Sequence, residues 1–246
     1  MSDLQTLEQA DVLGLPVHLT QDYSGWLISQ LHHHRGTHVV TLNAEMSIQA
    51  ERNADLARVI RKADLVVPDG SGVVFYLWLR NRHIQRCPGI ELAESLLKRS
   101  SQCNPPATVF FYGGSPGVAQ NAVNRWQKLL PELAIAGVQH GYLSADEHHQ
   151  VCEDLSSLQP SIILVGLGVP RQEFWIEEHR HLSPNSIWIG VGGSFDIWAG
   201  IKTRAPDWFR NNHLEWMYRL YQEPWRWRRM LALPKFAWRA LVYSRG

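Results

Sequence analysis

Cysteine is scarce in this 246-residue chain, and what there is does not pair: Cys87, Cys103 and Cys152 are an odd three with no C-x-x-C among them. That usage points to a reducing, cytosolic compartment and to neither a disulfide framework nor a zinc site. Long apolar runs are also missing. None approaches the roughly 18 residues that would span a membrane, and the longest, near Ile162 to Gly168, reads as a buried strand with its loop. The first residues, Met1-Ser2-Asp3-Leu4-Gln5, are polar and acidic rather than basic then apolar, so no secretory signal is expected. Internal repeats and low-complexity segments are absent as well.

Three nucleotide-site signatures are lacking. There is no G-x-x-x-x-G-K-[ST] and no G-x-G-x-x-G after the first strong strand, which removes the usual P-loop and dinucleotide readings. No Asp-x-Asp occurs, so the carboxylate pair that often holds a nucleotide-bound divalent metal is missing. Any bound diphosphate must then be neutralised by arginines and helix ends. Gly113-Gly114-Ser115-Pro116-Gly117 matches G-x-S-x-G between a strand and a helix. The oxyanion hole of that motif needs the amide after the serine, however, and Pro116 has none, which argues against a serine hydrolase.

What is present is a soluble-type composition, 45% hydrophobic, with a net charge of +1 that hides an asymmetry. Residues 202–246 carry ten Lys/Arg against three acids, or +7, which leaves the remainder at −6. The same segment holds Trp208, Trp216, Trp225, Trp227 and Trp238, five of eleven tryptophans. Such a basic, Trp-rich module suits an anionic surface. After Pro224 the residues Trp227, Met230, Leu231, Trp238, Leu241 and Val242 fall on one helical stripe, with Arg228, Lys235 and Arg239 largely off it and a kink expected at Pro234. A basic amphipathic helix of this kind can lie on an anionic bilayer. The plainer reading is a C-terminal helix packed on the body; the exposed tryptophans also suit self-association into a homo-oligomer. No nucleic-acid recognition motif accompanies the basic residues.

Residues 10–20 read as a small β element and Ser24–Leu31 as a first helix; His32-His33-His34 reads as a solvated helix end. Strands are expected at 38–43, 64–67, 107–112, 134–139, 161–166 and 186–191. The helices between them fall before Ala63 and at 71–81, 89–99, 116–130, 144–157 and 171–181. Alternation with near-continuous apolar strands predicts an α/β, Rossmann-like, open and mostly parallel sheet with helices on both faces. It stops near Gly200, so the expected division is an α/β catalytic domain, 1–201, and a helical basic appendage, 202–246.

The stretch Ala63-Asp64-Leu65-Val66-Val67-Pro68-Asp69-Gly70-Ser71 places Asp69 at the carboxyl edge of a buried strand, where open sheets bind ligands. Asp69 can act there as a general base or simply cap the next helix. Four other strand ends are rich in glycine and polar residues. They are Thr41 with Asn43, Gly113-Gly114, Gly168 with Gln172 and Glu173, and Gly192-Gly193 with Asp196. Glycine turns entering helices let amides approach a phosphate or sugar, although each singly also makes an ordinary tight turn. Together they predict a nucleotide-sized cleft.

In sequence the chain resembles the WecG/TagA/CpsF glycosyltransferases. The matching pieces are Val40-Thr41-Leu42-Asn43-Ala44-Glu45, Pro68-Asp69-Gly70, Arg86-Cys87-Pro88-Gly89, and the run from Gly166 to Glu173. Gly192-Gly193-Ser194-Phe195-Asp196, Arg204-Ala205-Pro206 and Leu214-Glu215-Trp216-Met217-Tyr218-Arg219-Leu220 with Pro224 and Arg226 continue the match in order. Cys87 stands where a small apolar residue is expected, and Arg171 where lysine is common. The resemblance implies an inverting, metal-independent transfer of an N-acetylmannosamine-type sugar from a UDP-sugar. The acceptor would be the 4-hydroxyl of GlcNAc on a polyprenyl diphosphate at the cytoplasmic membrane face, with no cofactor. By the same resemblance Asp69 is the base, Thr41 and Asn43 are sugar or acceptor contacts, and Arg86 with Gln172 lines the cleft. Arg219, Arg226 and Arg229 would close over the diphosphate. Other donors, UDP-glucose or UDP-N-acetylmannosaminuronate, and a non-catalytic nucleotide-sugar-binding role are alternatives that the sequence leaves open.

Overall fold

Hydrophobic runs of four to six residues that are buried at nearly every position make the central strands, and amphipathic runs between them make the helices. The computed structural model describes residues 7–243; the polar N-terminal pentapeptide and Arg245 lie outside the described residues. A hairpin, β1 (Glu8–Val12) and β2 (Leu15–Leu19), leads through α1 (Tyr23–His32) to β3 (Thr37–Leu42). Next come α2 (Ala44–Ala50), α3 (Ala54–Lys62), β4 (Leu65–Pro68), α4 (Ser71–Trp78), α5 (Gly89–Ser101) and β5 (Val109–Gly113). The alternation closes with α6 (Val118–Leu129), β6 (Ile135–Gln139), α7 (Ala145–Leu158), β7 (Ile162–Gly166), α8 (Arg171–His179), β8 (Ile187–Gly190) and α9 (Ser194–Trp198). Beyond it stand α10 (Asp207–Asn211), α11 (Glu215–Gln222), α12 (Trp227–Met230) and α13 (Ala232–Val242).

Six parallel strands form the main sheet in the order β4-β3-β8-β7-β5-β6. Side chains alternate between its faces. Val39, Leu65, Val67, Phe111, Leu164 and Ile189 pack under α1, α5, α6 and α9. Val40, Leu42 and Val66 face α2, α3, α4 and the hairpin, while Phe110, Tyr112, Ile163, Val165 and Trp188 face α7 and α8. The expected open parallel sheet with two covered faces is what forms, and the helical C-terminal region follows it.

Local chemistry explains the adjustments. The first β element is an antiparallel hairpin turned at Leu13 and Gly14, both at positive φ (55° and 80°), as a two-residue turn of that hand requires. It covers the β4 edge: His18 Nδ1 accepts the Val66 N–H at 2.9 Å, so an otherwise unpaired edge amide is satisfied. The helix predicted over 71–81 ends at Trp78, and the one predicted to 181 gives way after His179 to a 3-10 turn. Ser144 caps α7 with a reciprocal bond to Glu147. The break near Pro234 falls earlier, at Leu231, and Pro234 sits in the first turn of α13, where its missing N–H costs nothing.

Candidate active site

Ligands bind open α/β sheets outside the carboxyl ends of strands, where successive connections run in opposite directions. Here β3 connects outward to β4, while β8 is reached from β7 on its other side. At that point a cleft of about 320 Å³ opens, lined from the sheet by Thr41, Asn43, Asp69, Gly168, Gln172, Gly192 and Gly193, and also by Arg86. From the C-terminal helices it is lined by Glu215, Arg219, Glu223, Arg226 and Arg229.

Asp69 does not cap the helix that follows it; Gly70 occupies that position. Its Oδ1 instead accepts the Gly89 N–H at 3.0 Å, the first amide of α5. Burial pushes the Asp69 carboxyl above its usual range. Arg219, the Gly89 amide and Arg86 oppose that rise, and Glu215 adds to it. The group is therefore a carboxylate held by one oxygen and made more basic by its surroundings. Asn43 does act as a cap: its Oδ1 accepts from Met46 N at 3.0 Å and starts α2. Thr41 Oγ1 reaches the Gly190 carbonyl at 3.5 Å.

Gln172 fastens two turns together. Its Oε1 accepts from Gly168 N at 3.1 Å and Gly192 N at 3.0 Å, and its Nε2 donates to Glu173 Oε1 at 2.9 Å. A Cβ on Gly190 would lie 2.3 Å from Gln172 Nε2, so only glycine admits the clasp. Gln172 borders the cleft but spends its carbonyl on the scaffold. Glu173 is buried behind it and does not line the cleft; burial pushes its carboxyl up to about 7.

Gly113, Gly114 and Asp196 also stand outside the lining. Gly113 and Gly114 end β5, which lies beyond β7 from the cleft, and their φ values of 130° and 70° mark a turn that needs glycine for its own sake. Asp196 binds Lys202 Nζ at 2.7 Å.

The opposite wall is a chain of charges. Arg86 meets Glu215 at 3.2 Å, and Arg219 meets the same carboxylate at 2.6 Å. Lys202 bridges Asp196 and Glu223 (3.1 Å), and Glu223 holds Arg226 at 2.6 Å. Arg229 reaches Glu45 on α2 at 2.5 Å. Burial works against the Glu215 carboxylate, yet Arg219, Arg86 and Arg204 hold its pKa below the usual range. The lining carries six Lys/Arg against four carboxylates, an excess of two positive charges. Arg204 and Arg226 each keep a buried Nε–H with no partner among the described residues. Glu45, Glu215 and Glu223 are bound to cations, which leaves Asp69 as the cleft carboxylate outside an ion pair among the described residues.

The chain matches the Glycosyl transferase WecG/TagA/CpsF family over residues 10–246. It belongs to that family. Among its curated relatives is the N-acetylglucosaminyldiphosphoundecaprenol N-acetyl-β-D-mannosaminyltransferase of Bacillus spizizenii, 38% identical over 93% of this chain and 88% of the relative. Another, of the same description from Bacillus subtilis, is 36% identical over 82% of this chain and 78% of the relative. The WecG/TagA/CpsF match runs through α10–α13, so the charged wall is part of the family's length.

Sequence reasoning gave roles to Arg86, Arg219, Arg226 and Arg229 but none to the carboxylates that place them, although Glu45 and Glu215 lie in the motifs that carry the resemblance. Glu215 and Glu223 were legible as partners, because Glu215/Arg219 and Glu223/Arg226 are spaced four and three apart. Lys202, Arg204 and Glu45 had no such signal, since their partners lie on other elements.

Proposed function

We propose that this glycosyltransferase moves an N-acetylmannosamine-type sugar from a UDP-sugar to the 4-hydroxyl of GlcNAc on a polyprenyl diphosphate, with inversion and without a metal. The observation that carries this reading is the pairing across one cleft of a basic carboxylate, Asp69, with a wall of cations in excess. The acceptor oxygen attacks the sugar C1 as its proton passes to Asp69, whose Oδ1 stays anchored on the Gly89 amide. The bond from C1 to the diphosphate oxygen breaks on the other face. Charge grows on that oxygen, and Arg226, Arg229 and Arg219 are the groups at hand to neutralise it. The names of the relatives support the sugar and the acceptor.

A lipid-linked acceptor requires a membrane surface. Among the described residues no helix is long and apolar enough to cross one. The C-terminal helices instead expose Trp225 (71%), Trp227 (54%), Trp238 (67%) and Leu241 (73%), and α4, against which α13 packs, adds Phe75 and Trp78. Apolar surface of this extent beside Arg228, Lys235 and Arg239 suits the interface of an anionic bilayer at the cytoplasmic face.

The test is release of UDP from UDP-N-acetylmannosamine with a GlcNAc-diphosphate lipid in detergent, chelator present. Wild-type release that falls about a hundredfold or more in Asp69→Asn supports the assignment. Equal release by both would overturn the role of Asp69, and no release by either would overturn the donor and acceptor.

A further inference from the structure

The cleft uses the first residues of α8; the last, His179, lies roughly 10 Å further along the helix at 1.5 Å per residue. There it meets α7. His148 and Cys152, four apart and hence on one face of α7, stand opposite His179, and one ligand atom from each of the three lies within 4.8 Å of the others. Cys152 Sγ is 3.9 Å from His148 Nδ1, and the two imidazoles cross at 72° with centroids 5.1 Å apart. None of the three lines the cleft.

His179 is set up as a ligand. Its Nδ1 lies 2.8 Å from the Trp175 carbonyl oxygen, which can only accept, so the proton sits on Nδ1 and Nε2 presents its lone pair. Stacking on Trp175, at 4.5 Å and 16°, fixes the ring plane. A backbone acceptor behind a ring nitrogen is the support that metal-bound histidines use. His179 is buried whereas His148 and Cys152 are half-buried, so solvent reaches the cluster from one side.

We propose that His148, Cys152 and His179 bind one thiophilic divalent cation of the Zn²⁺ type, which fastens α7 to the C-terminal end of α8. Tetrahedral bonds of about 2.0 Å to nitrogen and about 2.3 Å to sulfur place ligand atoms roughly 3.3–3.6 Å apart. The ligand atoms, now within 4.8 Å of one another, reach that spacing by side-chain rotation of up to roughly 1.5 Å. Binding replaces the thiol proton of Cys152, which leaves to solvent, while the imidazoles bind as neutral donors; no electron is transferred. The fourth position faces solvent and takes a water. The site escapes a search for C-x-x-C because its ligands come from two helices.

The test uses the full chain, stripped with chelator and titrated with Co²⁺. We expect one Co²⁺ per chain with a thiolate charge-transfer band and tetrahedral d–d bands, all displaced by Zn²⁺. Cys152→Ser loses the charge-transfer band, and His148→Ala and His179→Ala weaken binding about tenfold or more. Zn²⁺ raises the Tm of the wild type and leaves that of Cys152→Ser unchanged. Cys152→Ser exchanges one atom, so its circular dichroism serves as the folding control. Absence of the band in the wild type overturns the proposal. So does a band that survives Cys152→Ser, or binding lost instead when His32, His33 and His34 are replaced together.

Discussion

The two walls of the cleft are built by opposite means. The sheet wall is made of backbone: amides of Gly89, Gly168 and Gly192 fixed by Asp69 and Gln172, over strands buried at nearly every position. The C-terminal wall is made of side-chain charge. Among its ties to the sheet wall are ion pairs of Glu45 with Arg229, Arg86 with Glu215, Asp196 with Lys202, Glu91 with Arg204 and Glu51 with Arg239. Its apolar anchor is small: Phe236 and Ala240 of α13 fit against α2 and α4. On the proposed reading the contrast divides the work: the proton acceptor sits on hydrogen-bonded backbone, and the departing anion meets side-chain cations whose present partners are carboxylates that a phosphate would replace.

The largest effect that would break the comparison is removal of the charged wall. A chain ending at residue 201 should be less stable, because Phe236 and Ala240 leave the core, and with its parallel sheet retained by circular dichroism it should lose roughly a thousandfold or more of UDP release, because the cations of that wall leave together. Full activity of the shortened chain would remove that wall from the reaction. Asp69→Asn comes next, a loss of about a hundredfold in kcat with the fold unchanged, measured by the same release.

Phe236→Ala should cost about 3 to 5 kcal/mol, since the ring is 3% exposed and lies 6.0 Å from Tyr76. A urea titration that showed no loss would mean the ion pairs alone hold the tail. The smallest effect lies behind the sheet wall. Burial raises the Glu173 carboxyl to about 7, so its contribution to stability is complete below the unfolded value near 4.5 and lost as pH rises through 7. Wild type should therefore lose up to about 3 kcal/mol relative to Glu173→Gln between pH 4.5 and 8, read from melts across that range.

Much of this arrangement was legible in the sequence. Apolar runs and their spacing located all six main-sheet strands, and a Pro-Asp-Gly stop placed Asp69 at a carboxyl edge. Strand order was not legible. Gly113 and Gly114 read like every other glycine-rich strand end, and only the position of β5 beyond β7 removes them from the cleft. The tail was half legible. Of the expected stripe Trp227, Leu231, Trp238, Leu241 and Val242 do face outward, whereas Met230 lines the cleft; the plainer reading also holds, because Phe236 and Ala240 on the other face of α13 pack into the body. Asp196 and Glu173 were read as cleft residues by proximity in sequence. One holds Lys202 and the other backs Gln172.

The most direct test of the division of labour is UDP affinity measured by calorimetry for wild type, Asp69→Asn and Arg226→Ala with Arg229→Ala. If the sheet wall handles the proton and the C-terminal wall the diphosphate, Asp69→Asn binds UDP as the wild type does while the arginine pair weakens it about tenfold or more. Equal weakening by Asp69→Asn, or none by the arginine pair, would contradict that division.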